Sequence, residues 1–188
     1  MPGGYGDGHA VRFLAPILTL QALEEVELLL SREVPLSDAD IRAFVDAWPH
    51  LRRFTLDLWD VEDLSWYEEA ELPFTLPTIQ SLVDFATRTP ALVWLRIPCV
   101  SIDPHTPFRD IPLMDHPLLH LSLGNLKAGK GHGHIKAGAL LDRLFPDLDF
   151  SDARFIPTEE ADSRWPYAEW RRVQQVLLAI QNGRKSRL

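Results

Sequence analysis

The chain has 188 residues, 46% hydrophobic and 24% charged, so it is long enough for one packed core and too apolar for a disordered segment. Its formal charge of -8 repels phosphate backbones and anionic lipid, which argues against nucleic acid and membranes as partners. Cys99, its one cysteine, cannot close an internal disulfide, and no stretch approaches the roughly 18 apolar residues of a spanning helix, so cytosol or nucleus is the expected compartment.

Residues 1–16 carry four glycines among the first ten positions and no basic region leading into an apolar run; they are expected to be disordered rather than a targeting peptide. Residues 17–182 are read as one repeat domain, with 183–188 a basic tail. Leu23, Val26 and Leu28 form the first, proline-less copy of a phrase Pro-x-Leu-x-x-Φ-x-Φ, where Φ is apolar. Full copies follow at Pro49, Leu51, Phe54, Leu56; at Pro90, Leu92, Leu95, Ile97; and, one place closer, at Pro117, Leu118, Leu121, Leu123. Pro146, Leu148 and Phe150 open a degenerate last copy. The last two apolar positions share one face of a short strand, and the proline stops whatever helix precedes it.

Between copies the period turns helical. Ser37 and Asp40 suit a capping box before Ile41, Phe44, Val45 and Trp48, which fall on one helical stripe. Thr75 is a candidate cap for a second helix with Pro77 in its first turn, followed by Ile79, Leu82, Val83 and Ala86. Ala137, Leu140, Leu141 and Leu144 mark a third. The leading leucines lie 28, 41, 26 and 30 residues apart, against roughly 20 to 29 for leucine-rich repeats. The long gap holds Asp57–Phe74, rich in carboxylates and containing Trp59 and Trp66, and is read as an inserted loop. Residues 98–117 lack helical periodicity and contain five prolines, so that repeat is expected to return in extended form. The chain closes with Pro166 at a first helical position and Tyr167, Trp170, Val173, Leu177 and Ile180 along one side of a capping helix. No comparable lid is evident at the other end.

The fold class expected is therefore α/β: a leucine-rich-repeat solenoid with a short parallel sheet on its concave side, helices and irregular segments on its convex side, and a C-terminal capping helix. The segments "LSDADIRAFVDAWPHLRRFTL", "TLPTIQSLVDFATRTPALVWLRIP", "HPLLHLSLG", "AGALLDRLFPDL" and "WRRVQQVL" resemble the C-terminal repeat region of the fungal F-box and leucine-rich-repeat-like protein family, over roughly residues 20 to 180. In that family an F-box docks onto the adaptor of a cullin ubiquitin ligase and the repeats recruit a substrate. No F-box precedes Leu23 here, so the resemblance implies substrate recruitment without adaptor binding.

A curved sheet would present Glu24, Glu25 and Glu27; Arg52, Arg53 and Thr55; Val93, Trp94 and Arg96; and Leu119, His120 and Ser122 on its concave face. Trp94 flanked by Arg53 and Arg96 has the composition of a binding hot spot. The plainer alternative is that the Glu and Arg rows pair with each other across strands. A competing functional class is a small metal-dependent hydrolase using His132 and His134 of "GKGHGH", with His116 and His120 upstream; a further alternative is a fragment without function. Against the hydrolase, a Gly-Lys turn does not preorganise ligands. That turn also lacks the Gly-Lys-Ser/Thr of a phosphate loop, and neither a Gly-x-Ser-x-Gly elbow nor a cysteine in a catalytic setting is present. The expectation is a non-catalytic module with an unknown protein partner and no cofactor.

Overall fold

A computed structural model describes residues 9–31, 34–59, 76–103, 105–129, 131–150 and 167–186. Its strands are β1 (Glu25–Ser31), β2 (Arg53–Trp59), β3 (Trp94–Ser101) and β4 (His120–Lys127), and its α-helices are α1 (His9–Leu14), α2 (Asp38–Ala47), α3 (Ile79–Arg88), α4 (Gly133–Leu144) and α5 (Tyr167–Lys185). The strands form one parallel sheet in the order β1-β2-β3-β4, so each strand lies beside its neighbour in sequence.

Recurrent chemistry sets the register. Each of the three helices that precede a Pro-x-Leu phrase stops on the residue before the proline, because that residue is driven out of the helical region by the ring that follows. Trp48, Thr89 and Phe145 take nearly the same backbone angles there (φ -126, ψ 67; φ -122, ψ 69; φ -134, ψ 75), each donating its amide to the carbonyl four residues back. Four residues after Trp48 and Thr89 the chain enters the sheet in the same way, and the copy that begins at Pro117 repeats the contact. Arg52 and Arg53 both donate their amides to the Glu24 carbonyl, Val93 and Trp94 to that of Arg52, and Leu119 and His120 to that of Val93. The Asp149 amide repeats the contact on the Leu119 carbonyl at 2.7 Å, so the last copy also aligns.

Val26 therefore pairs with Phe54, Phe54 with Leu95, and Leu95 with Leu121. The leading Leu51, Leu92 and Leu118 are fully buried and Leu148 nearly so, whereas Leu23, just before the outermost strand, is only half-buried. Beyond the phrase, burial continues in β3 and β4 at matching offsets: Val100 and Ile102 in one, Leu126 and Ala128 in the other. The alternation of buried and outward residues shifts at Pro98 and Gly124, where a methyl on Gly124 would fall 2.5 Å from the Pro98 carbonyl oxygen.

The helices bury their stripes against one face of the sheet. Phe44 and Trp48 stack at 5.7 Å, Phe44 meets Phe54 at 6.1 Å, and Phe54 meets Phe85 at 5.2 Å, joining α2, β2 and α3 in one aromatic cluster. Carboxylates stitch the helical layer. Asp38, at the start of α2, accepts from the Thr78 amide and hydroxyl, both at 2.7 Å, and thereby holds the N-terminus of α3. Arg42 pairs with Asp84 at 3.1 Å, and Arg88 with Asp46.

Several expectations need correction. The capping box of α2 is present, but the cap of α3 is Thr78, whose hydroxyl accepts from the Gln80 amide; Pro77 precedes the helix instead of starting it, and its carbonyl serves the Ser101 amide. Thr75 lies outside the described residues. Asp57, Leu58 and Trp59 are strand and not loop, pairing with Leu29, Leu30 and Ser31; the rest of the acidic insertion, with Trp66, lies outside the described residues. Residues 9–16 are ordered in part as α1, with Ala10 buried and the Val11 amide 3.2 Å from Asp40 Oδ1. The Trp48 indole donates to the Ile17 carbonyl at 3.2 Å, so this segment packs against α2.

Between β3 and β4 the described residues contain no α-helix, only a 3-10 turn at Phe108–Asp110. Arg143 of α4 pins this extended return through the Ile111 carbonyl, at 3.1 and 2.9 Å. His116 fills the place of a helix end. Its Nδ1 accepts from the Leu118 amide at 3.2 Å, which leaves Nε2 to donate to the Thr89 carbonyl of the preceding unit at 3.1 Å. At the far end α5 buries Trp170, Val173 and Leu177, while Ile180 is half-buried. Gln181 and Arg184 donate to the Pro146 and Leu148 carbonyls, so the lid satisfies backbone acceptors as well as apolar surface. Pro166 lies outside the described residues.

Candidate functional site

Because side chains alternate along a strand, the residues not pointing at the helices project from the opposite face of the sheet. In β1 they are Glu25, Glu27, Leu29 and Ser31, all exposed. The register aligns Glu25, Arg53, Trp94 and His120 in one row across the four strands, and Glu27, Thr55, Arg96 and Ser122 in the next. Every strand residue named as a candidate for the concave face thus lies in one of two adjacent rows. Arg52, Val93, Leu119 and Glu24 border them at the strand entries.

The first row is held by ring contacts. The Arg53 guanidinium sits 4.3 Å above the Trp94 ring, and Trp94 meets His120 at 4.9 Å between centroids, tilted by 47°. An exposed cation on an aromatic face is worth about 0.5–1 kcal/mol, enough to bias the arginine toward β3 and away from Glu25. In the second row Arg96 donates to Asp57 at 2.8 Å. The expected alternative, Glu rows pairing with Arg rows, is not seen among the described residues: Arg96 pairs with Asp57, an aspartate read as loop. Among the described residues Glu24, Glu25 and Glu27 have no ion-pair partner, and neither has Arg52.

Exposure grades the candidates. Arg52, Arg53 and Arg96 are exposed; Val93, Trp94, His120 and Ser122 are half-buried. Thr55 is only 9% exposed. A short side chain set between Glu27 and Arg96 is overshadowed by both, so Thr55 offers little to a partner.

The residues weighed for chemistry do not converge. His132 is exposed just before α4 and His134 half-buried in its first turn, so the turn ends earlier than the sequence suggested. His116 is buried among backbone partners, and burial holds its ring below the usual imidazole value, only partly offset by the Thr89 carbonyl. Among the described residues no three His, Cys, Asp or Glu side chains are grouped to hold a metal ion. Cys99 is buried, and burial pushes its thiol up to about 12, with Lys127 opposing weakly; a thiol so placed is a poor nucleophile. No helix of the described residues is long and apolar enough to cross a membrane. No family model, curated protein or solved structure matches the chain.

Proposed function

We propose that the chain is a leucine-rich-repeat solenoid that holds another protein on the open face of its sheet and carries out no catalysis. Two features support the solenoid. The buried offsets after Leu92 and Leu118 follow the spacing L-x-x-L-x-L-x-x-N/C-x-L of such repeats, with Val100 and Leu126 in the polar place. The same proline stop and the same sheet entry recur from unit to unit. Helix α5, closing over the last strand and helix, matches the need of a stacked array to close a terminal face.

The observation that carries the binding reading is the row Arg53, Trp94 and His120, an arginine on an indole beside an imidazole on the side of the sheet away from the helices. Trp and Arg dominate protein-binding hot spots because they combine large apolar area with directional polar contacts. The reading agrees with the resemblance to substrate-recruiting repeats of F-box proteins, and a reducing compartment suits the buried thiol of Cys99.

Affinity capture from cell extract with the wild type, Trp94→Ala, Arg53→Ala and, as control, Leu178→Ala on the far helix tests it. A protein retained by wild type and control and lost by both face variants is the expected result. Undiminished capture by Trp94→Ala overturns the assignment of this face.

A further inference from the structure

The open face is divided by charge, and the division makes it complementary to itself. Its outermost strand presents Glu25 and Glu27 with the exposed Leu29, and Glu24 borders them at the strand entry; the two strands beside it present Arg53 and Arg96 around Trp94, with Arg52 at the entry of β2. Neighbouring strands lie about 4.8 Å apart, close enough for glutamate and arginine of one row to pair. They do not: Arg53 leans onto Trp94, Arg96 is taken by Asp57, and Arg52 and the three glutamates have no ion-pair partner among the described residues. Both signs are thus presented outward, one strand apart, in a chain whose overall charge of -8 would otherwise disfavour association with itself.

From this charge pattern we infer that the occupant of the face is a second copy of the chain, packed sheet to sheet about a two-fold axis parallel to the strands. Such an axis keeps each row at its height and reverses the strand order. The glutamates of one copy then lie over the arginine and tryptophan strands of the other, and the reverse holds at the symmetric position, as an isologous interface requires. Leu29 and Trp94 supply apolar surface at its centre. A heterologous partner would have to reproduce a bipolar pattern that the chain already presents. The inference rests on the reading of this face as a protein-docking surface and specifies what docks.

Sedimentation and light scattering of the purified full chain, across a range of concentrations at low and high salt, test it together with two charge-reversed variants. One carries Glu25→Arg and Glu27→Arg, the other Arg52→Glu and Arg53→Glu; all four positions are exposed, and circular dichroism verifies that the variants are folded. The expected result is a reversible dimer weakened by salt, each variant alone monomeric, and an equimolar mixture of the two forming a heterodimer. A wild type that stays monomeric at every concentration overturns the inference while leaving a heterologous partner for the same face testable by capture. Dimers that survive in either variant alone place self-association elsewhere and overturn it too.

Discussion

Truncating the leading leucines one at a time should give a stability profile set by position in the stack rather than by residue type. Leu51, Leu92 and Leu118 are fully buried, Leu148 is 3% exposed beneath α5, and Leu23 is half-buried just before the outermost strand. Leu→Ala in a core costs about 2–5 kcal/mol, the higher values arising where surrounding structure cannot collapse into the cavity. Leu92 has a unit on either side and aligned leucines above and below, so Leu92→Ala belongs near the upper end, about 3–4 kcal/mol. Leu23→Ala loses little transfer energy and opens to solvent, so about 1 kcal/mol is expected. Urea unfolding followed by circular dichroism measures each difference, and a domain stable by roughly 5–15 kcal/mol tolerates them singly. Equal costs at Leu23 and Leu92, or a Leu92→Ala cost under about 1 kcal/mol, would refute a shared interior with its edge at β1.

His116 adds a pH dependence. Its folded-state ring is held below the imidazole value of about 6.5 that it recovers on unfolding. Its contribution is therefore complete above that value and is lost as pH falls from there toward the folded pKa, because the unfolded chain takes up a proton the folded one refuses. His116→Gln should flatten the stability slope between about pH 7 and 5 and cost about 1–2 kcal/mol at neutral pH through the lost bridge to Thr89 and Leu118; an unchanged slope counts against the bridge. Cys99, with its thiol raised to about 12, should resist a disulfide reagent in the native protein and react at once in denaturant; fast native labelling contradicts its burial. Asp38→Ala should destabilise the start of α3 by about 1–2 kcal/mol, and Thr78→Ala should cost less in that background than in the wild type, because the bond from its hydroxyl to Asp38 is already gone and only its cap on the Gln80 amide remains; full additivity in a double-mutant cycle contradicts that coupling.

What the sequence disclosed was whatever rests on short-range chemistry. A residue before proline leaves the helical region wherever it occurs, so Trp48, Thr89 and Phe145 mark the same junction three times, and the first two fix where the following strand begins. From those junctions the rows of the open face follow by counting, and Arg53, Trp94 and His120 fall into one of them. The features that escaped depend on distant partners. The true cap of α3 is selected by Asp38, forty residues earlier, over the equally suitable Thr75. Helix α1 has six residues, too few to be stable alone, and relies on Asp40 and the core beneath Ala10. Asp57 looked like loop because its charge breaks an apolar run, yet it is the strand residue that neutralises Arg96. His116, considered only as a metal ligand, bridges the Thr89 carbonyl and the Leu118 amide, and no local pattern announces that.

The whole account depends on consecutive units entering one parallel sheet at equivalent leucines. Scalar couplings across hydrogen bonds, measured by NMR on labelled protein, read those connections directly. They should link the Val93 amide to the Arg52 carbonyl, the Leu119 amide to that of Val93, and the Asp149 amide to that of Leu119. Couplings joining these amides to other carbonyls, or reciprocal pairs of the antiparallel kind, would contradict the stack and remove the face on which the proposed binding depends.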